Sequence, residues 1–528
     1  MVDEQDGRVV DPTSVVYRHQ SMPNLMNLAE EGANFARSYT NSPQCVPART
    51  TMFTGRRNDQ IQVFNNGFGI ANVTAEDKLD SACVSGYNES FCTRMAVQQN
   101  VSHTFVDLLA AGGYDTKIWG KTHTGAGYGN KADNLGGWGE TFGGQASAWI
   151  RGASVFAAVK DEVNDVLSGL ANMDDKNPGI SQDYQTIASA VAYLQDLPPN
   201  PNPQFLYASI LMPHPPYQTN ATYLNLVQGP AGIDIPVWPA QEELHPNDAQ
   251  VVMSKGYWDA GKRLNMTQRR AFIHEYYAMC AEADRLLGQV IDAHAASSIA
   301  DEPTYFIFVA DHGDMALSHQ QTQKNCMYEG SARIPTIVKG PGIPASTVSH
   351  PTQLLDVFPT LLDMAGLPAD PSVVGHSLLP LAKTGKDPTR EPFVVSQYHS
   401  IHAATGTFMV VEEDYKLIAF APLGVNQTGE QWPAQLFHLS SDPHELNDLA
   451  AKNTTMVAHL MGALDSAFDW RAADRLAKTT DRELFMRHLE ISGEECLKYV
   501  SSIIKDFEKD PEGLDAVNAW LGPYGPCK

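Results

Sequence analysis

Lys, His and Asp side chains recur in this chain directly after short apolar runs. Thr116–Trp119 leads into Gly120-Lys121-Thr122-His123, Gln204–Leu211 into Met212-Pro213-His214, and Thr304–Ala310 into Asp311-His312-Gly313-Asp314. Each run reads as a buried strand. In open α/β sheets, ligands bind beyond the carboxyl ends of the strands. Singly, a His or Lys after a strand is more often a capped loop residue. Together, three strands deliver Lys121, His123, His214, Asp311 and His312 to one edge, a set with anion-binding and metal-binding character.

The sharpest local signal lies elsewhere, in Cys45-Val46-Pro47-Ala48-Arg49, followed by Thr50-Thr51-Met52-Phe53-Thr54-Gly55-Arg56. The chain has 7 Cys, 33 Pro and at most 37 Arg, so Cys-x-Pro-x-Arg is expected by chance about 0.03 times. One reading is an ordinary cysteine before a helix with Pro near its first turn. The other is a reactive group at a helix N-terminus, where partial positive charge and unpaired amides favour an oxygen anion. Arg49, about one turn on, could stabilise that oxyanion.

This motif resembles that of the type I sulfatases. The resemblance implies that a formylglycine-generating enzyme, reading Pro47 and Arg49, oxidises Cys45 to formylglycine before folding. A hydrated aldehyde carries two hydroxyls on one carbon: one attacks sulfur, and the other later loses its proton and expels sulfate. Gly120-Lys121-Thr122-His123 is similar to the family's G-K-x-H element, which makes Lys121 a sulfate ligand and His123 the base for the second hydroxyl. By the same resemblance His214 binds sulfate and helps protonate the leaving alcohol. Lys324, in Gln323-Lys324-Asn325-Cys326-Met327-Tyr328-Glu329, is the second sulfate-binding lysine. Asp3, Asp311, His312 and residue 45 are the implied ligands of one Ca²⁺, with Mg²⁺ less favoured; hard oxygen donors suit both ions.

Four departures qualify the match. Most sulfatases have Asn where His312 stands, and most have a second Asp where Glu4 stands. His312 instead matches arylsulfatase K, the glucuronate-2-sulfatase subgroup, as do Thr40–Cys45, Tyr276–Asp284, Asp311–His319 and Leu436–Leu446. That likeness runs from Asp3 to about Ala450, although His123 departs from the animal members of the subgroup. Finally, only Met1-Val2 precede Asp3. The first strand is therefore expected to be missing, as in a truncated gene product, and Asp3 to be loosely held.

Positioning such residues requires alternating helices and strands, read here as an α/β fold with a mostly parallel sheet sandwiched by helices. The resemblance makes it alkaline-phosphatase-like. Helical patterns run over Ser102–Ala111, Tyr184–Leu197 and Thr267–His294, and residues 218–264, rich in Pro, Gly and Asn, read as a long surface excursion. Residues 1–390 form the expected catalytic domain. Residues 391–528 form a smaller C-terminal α+β lobe, with a hairpin from Thr407–Val411 and Tyr415–Phe420 and helices near Thr455–Phe468 and Asp481–Leu489.

Composition narrows the function. With 61 Asp and Glu against 37 Lys and Arg the net charge is −24, which repels polyanions and argues against nucleic acid as a partner. An anionic substrate then needs a local positive cluster, which Lys121, Lys324 and Arg49 supply. No apolar run approaches the ~18 residues of a membrane span. Beyond Cys45, six cysteines suffice for three disulfides, with Cys83–Cys92 and Cys496–Cys527 preferred by proximity; buried free thiols are the alternative. Asn72, Asn88, Asn100, Asn220, Asn265, Asn426 and Asn453 begin glycosylation sequons, against about three expected by chance. They point to a secreted or lysosomal protein, although Met1–Glu30 lacks a signal-peptide core. The resulting expectation is a sulfatase acting on O-sulfate esters of a sulfated glycan, a uronate or a small molecule. Its alternatives are a phosphodiesterase or phosphonate hydrolase of the same superfamily, or a non-catalytic glycan-binding homologue.

Overall fold

The computed structural model describes residues 1–14, 16–18, 21–66, 101–124, 161–171, 180–423, 430–493, 495–503, 514–515, 517–518 and 521. Cys83, Cys92, Cys527 and the sequons at Asn72, Asn88, Asn100 and Asn426 lie outside them. Among the described residues, eight strands belong to the first part of the chain: β1 (Ala33–Phe35), β2 (Ser38–Tyr39), β3 (Asp115–Gly120), β4 (Gln204–Ser209), β5 (Phe306–Val309), β6 (Thr336–Lys339), β7 (Ser346–Val348) and β8 (Thr352–Gln353).

β3 and β4 run parallel, from Asp115 opposite Gln204 to Gly120 opposite Ser209. β5 pairs antiparallel with β6, β6 antiparallel with β1, and β1 parallel with β7. Met1 and Val2 join these two pieces. The Met1 ammonium donates to Ala208 O at 2.8 Å, and Ile210 N–H donates to Met1 O at 3.1 Å. On the other side Val2 N–H donates to Val309 O at 3.1 Å, in a parallel bridge to Ala310. Met1 and Val2 thus bridge the two pieces, secured by backbone bonds on both flanks. The expected loosely held Asp3 is not found: it is fully buried, and its N–H donates to Met212 O.

Helices cover this sheet in two groups. The 30-residue helix Met266–Ala295 is capped by Asn265, whose side chain accepts from Gln268 N–H. It buries Phe272, Tyr276, Met279 and Leu286 on the helical period, and packs against Pro23–Glu31, Glu162–Ala171 and Ser181–Gln195. The second group comprises Cys45–Thr54, Phe105–Ala111 and Val357–Met364. Phe105–Ala111 starts three residues later than its pattern predicts because Thr104 and Asp107 form a capping box there. Residues 218–264 are more than a surface excursion: the helix Pro246–Ser254 and the turn after it bury Val251, Val252, Ser254, Lys255 and Tyr257.

The predicted hairpin forms β10 (Thr407–Glu412) and β11 (Tyr415–Phe420), flanked by β9 (Phe393–Tyr398) and β12 (Gln435–His438) in an antiparallel sheet of order β12-β11-β10-β9. Alternation decides its two faces. Phe408, Val410, Leu417 and Leu436 pack under Leu460 and Leu464 of the helix Thr454–Ala467. Met409, Val411, Ile418 and Phe420 pack on Tyr39, Met327 and Tyr328 of the first part. The predicted Asp481–Leu489 is a segment of a longer helix, Trp470–Ser492, begun by the Asp469 cap.

Cys45, Cys280 and Cys326 are buried free thiols. Three disulfides are therefore not formed, because Cys280 and Cys326 are packed as small apolar groups within the core. Cys496 is disulfide-bonded. Among the described residues, no helix is long and apolar enough to cross a membrane.

Candidate active site

Cys45 is the first residue of the helix Cys45–Thr54, preceded by extended Gln44 and ended by Gly55 at φ 66°. Pro47 sits in the first turn, where its missing N–H leaves no bond unmade, and Val46 N–H is capped by Asn66 Oδ1 at 3.0 Å. The thiol points at the strand ends, 3.4 Å from His312 Nε2 and 3.9 Å from Asp3 Oδ1. Burial first, then the Asp3 carboxylate, push the thiol pKa up. An unmodified Cys45 is thus a poor nucleophile, since the thiolate is the reactive form.

Asp3 follows Val2, and Asp311 and His312 follow β5, so the sheet brings them to one edge. One ligand atom from each of Asp3, Cys45, Asp311 and His312 lies within 4.8 Å of the others, and all four residues are buried. Two carboxylates, an imidazole and the group at position 45 fit a divalent cation. With sulfur at position 45 the set leans towards a transition metal, and with oxygen there towards a hard ion. Glu4, whose φ is 66°, turns away from this cluster. Its Oε2 lies 2.8 Å from Lys324 Nζ and 3.5 Å from His214 Nε2.

Arg49 is fully buried beneath the ligands. Its Nε donates to Asp311 Oδ2 at 2.7 Å, while Nη1 donates to Lys121 O and Ser209 Oγ, both at 2.8 Å. Its Nη2 stands 3.7 Å from Asp3 Oδ2. These bonds direct the guanidinium to the two carboxylates and the β3–β4 edge.

Gly120 ends β3 at φ 79°, where a Cβ would overlap Ser209 O; only glycine lets the chain turn here and present Lys121. Lys121 Nζ pairs with Asp3. Burial alone would raise the Asp3 carboxyl, but Lys121, then His214 and Arg49, hold it well below the usual range. His123, at φ 47°, is buried with both ring nitrogens unpartnered among the described residues. Burial, then Lys121 and Arg49, keep it neutral well below pH 6.5. His214 is also held neutral, by burial and then Lys324. Its Nδ1 lies 2.6 Å from Pro215 O, which places the neutral ring's proton there and leaves Nε2 as an acceptor facing the site.

Sequence reading thus named residues that the fold gathers at one edge: Cys45, Arg49, Asp3, Asp311 and His312 with Lys121, and His214 with Lys324. It missed Asn66, Ser209 and Asp183, whose carboxylate accepts from Leu211 and Met212 N–H and fixes the turn before His214. A polar residue that supports a turn from another element has no local spacing to betray it.

The family model for Sulfatase matches residues 6–367, well over half of the chain. The chain belongs to the sulfatase family. A second model, N-sulphoglucosamine sulphohydrolase, C-terminal, matches residues 318–467 of the sulfatase. Arylsulfatase K of Danio rerio is 28% identical, over 99% of this chain and 93% of its own length. Arylsulfatase K of Homo sapiens is 28% identical, over 98% and 91%. Among solved structures, a 2-O GAG sulfatase superposes with a TM-score of 0.61 at 23% identity, over 88% of this chain and 90% of its own. The phosphonate monoester hydrolase of Agrobacterium radiobacter gives 0.63 at 21%, over 88% and 94%. The fold is accordingly alkaline-phosphatase-like, and the sulfatase is a sulfuric ester hydrolase close to arylsulfatase K.

Proposed function

We propose that this sulfatase hydrolyses O-sulfate esters of a sulfated glycan, at a sulfated uronate, using formylglycine made from Cys45 and one bound Ca²⁺. The observation that carries this reading is the gathering of Asp3, Asp311 and His312 around Cys45 within 4.8 Å, at a helix N-terminus flanked by buried Lys121 and Lys324. A Ca²⁺ held by Asp3, Asp311, His312 and the oxygen at position 45 would supply Lewis-acid polarisation there, and the hydrated aldehyde would supply the paired hydroxyls. Mg²⁺ is less suited, because it demands near-octahedral geometry and keeps several waters.

The chain's own residues do the rest. Lys121 and Lys324 hold sulfate oxygens as compact cations. His123, neutral and without a competing partner among the described residues, takes the proton of the second hydroxyl. His214 faces the leaving oxygen, and protonating it would require the ring to carry a second proton on Nε2. Arg49 pairs with both metal carboxylates and holds them in register.

The likeness to arylsulfatase K and to the fold of a 2-O GAG sulfatase supports the uronate assignment. The separate sheet β9–β12 supports a catalytic unit in residues 1–390 and a C-terminal lobe in 391–528. A secreted or lysosomal location is supported by the sequons. Those at Asn220, Asn265 and Asn453 begin helices as N-caps, so their asparagines also have a structural reason to be there.

Tryptic mass spectrometry of active protein should find the aldehyde mass at position 45. Sulfate release from defined sulfated uronates should exceed turnover of phosphate diesters and phosphonate monoesters, and a chelator should abolish it. Dominant phosphodiester or phosphonate cleavage, or an unconverted thiol in competent protein, would overturn the reading.

A further inference from the structure

Lys324 lies on a segment whose backbone few sequences would adopt unaided. Ala316, Leu317, His319, Gln320, Gln323 and Asn325 all have positive φ, between 42° and 82°. None is glycine, so each is held against its ordinary preference. Something must hold it. One tether is Asp314, whose Oδ1 accepts from Ala316 N–H at 2.7 Å and Gln323 N–H at 2.9 Å.

The other tether is Lys255, which enters from the end of the helix Pro246–Ser254 and is fully buried. Its Nζ donates to Thr322 O at 2.8 Å and to Lys324 O at 2.5 Å. These two carbonyls bracket Gln323, at φ 57°. Glu162 Oε2 stands 3.9 Å from the same ammonium, and Glu162 N–H donates to Lys255 O at 3.0 Å. Tyr257 OH lies 2.6 Å from Thr322 Oγ1, which donates to Glu162 Oε2 at 3.3 Å. The C-terminal lobe reaches the cluster through His402, whose Nε2 is 3.6 Å from Glu162 Oε1. A buried ammonium is costly unless its donors are satisfied, and here they are satisfied by the backbone that carries Lys324.

We infer that Lys255 is a positioning residue for the sulfate contact made by Lys324, gripping the 322–324 turn from behind so that the Lys324 ammonium is delivered to the site. It touches no reacting atom. The inference rests on the proposed role of Lys324. Met at position 255 keeps the stem but leaves the Thr322 and Lys324 carbonyls without this donor, and the left-handed turn relaxes. A displacement of about 1 Å in a charge contact costs on the order of 10²-fold in rate.

The test is a double-mutant cycle on sulfate ester hydrolysis. Lys255→Met should lower kcat/KM roughly 10- to 100-fold, and Lys255→Arg should recover part of that loss. In a Lys324→Ala background the same Lys255→Met change should cost less than about threefold, because the contact it serves is gone. Equal losses in both backgrounds would overturn the inference while leaving the site reading intact. A Lys324→Ala enzyme of normal activity would instead overturn the site reading, and this inference with it. Should Lys255→Met fail to fold, Tyr257→Phe, which removes only the hydroxyl on Thr322, takes its place in the cycle. Its few-fold loss must then vanish without Lys324, and persistence of that loss would overturn the inference.

Discussion

Replacing Arg49 with Met removes a buried cation from beside two buried carboxylates. Arg49, Asp3 and Asp311 are fully inaccessible, with Nε 2.7 Å from Asp311 and Nη2 3.7 Å from Asp3. At an effective dielectric constant near 20, a unit pair 3.7 Å apart is worth about 4–5 kcal/mol. Breaking buried pairs by deleting one partner costs roughly 3–5 kcal/mol. Lys121 still faces Asp3 in the variant, so the uncompensated charge falls on Asp311 and the lower figure applies, about 3 kcal/mol. The assay is urea unfolding followed by tryptophan fluorescence in chelator, on protein whose Cys45 is left unconverted. Saturating Ca²⁺ should stabilise the variant more than the parent. Each gains RT ln(1 + [L]/Kd), about 2.7 kcal/mol at a hundredfold excess over Kd, and the more negative pocket binds the ion more tightly. A loss below about 1 kcal/mol in chelator, or equal gains from Ca²⁺, would refute the view that Arg49 compensates the ligand carboxylates.

Lys324→Ala should lower kcat/KM by on the order of 10²-fold or more, through loss of a charge contact in the transition state; steady-state kinetics checks this, and near-normal turnover contradicts it. His123 is held down by burial, Lys121 and Arg49, so the acid limb it sets in kcat/KM should lie below pH 6.5. Lys121→Met removes one of those charges and should move that limb to higher pH, whatever it does to the maximum. Glu275 is buried without a hydrogen-bond partner among the described residues, and burial raises its carboxyl to about 8. Between its unfolded value near 4.5 and about 8 the folded chain keeps a proton that the unfolded chain has released, so stability falls as pH rises through that window. Glu275→Gln should flatten the fall, with a gain on the order of 4 kcal/mol at pH 8 and little change at pH 5. Unchanged denaturation profiles at both pH values would contradict this.

Much of the site could be read without coordinates because it obeys a single rule of parallel sheets. Lys121, His214 and Asp311 each follow an apolar run, and strands of one sheet end on one edge. The helix at Cys45 was equally plain, since Pro47 and Gly55 mark its two ends. What escaped was support from a distance. Lys255 looks like any lysine in a Pro-, Gly- and Asn-rich stretch, and its burial follows from packing between Glu162 and the 322–324 turn. From sequence Glu4 is only a departure from the family's second Asp, and its pairing with Lys324 depends on a left-handed backbone that no pattern signals. The hold on Asp3 was equally hidden, because it comes from strands far along the chain. Met1 and Val2 draw backbone bonds from β4 and from the end of β5, a placement that no local pattern signals.

Cys45 is 1% exposed, its thiol sealed by His312, which lies 267 positions further along the sequence. An outside enzyme that alters this thiol must therefore act before the segment bearing His312 has been made and seated. At synthesis rates of about 5–20 residues per second, that leaves roughly 13–53 s after Cys45 is added to the chain. Slow translation between the cysteine and β5 would lengthen that interval and raise the fraction of molecules converted. A variant that closes early would accumulate as well-folded, permanently unconverted protein.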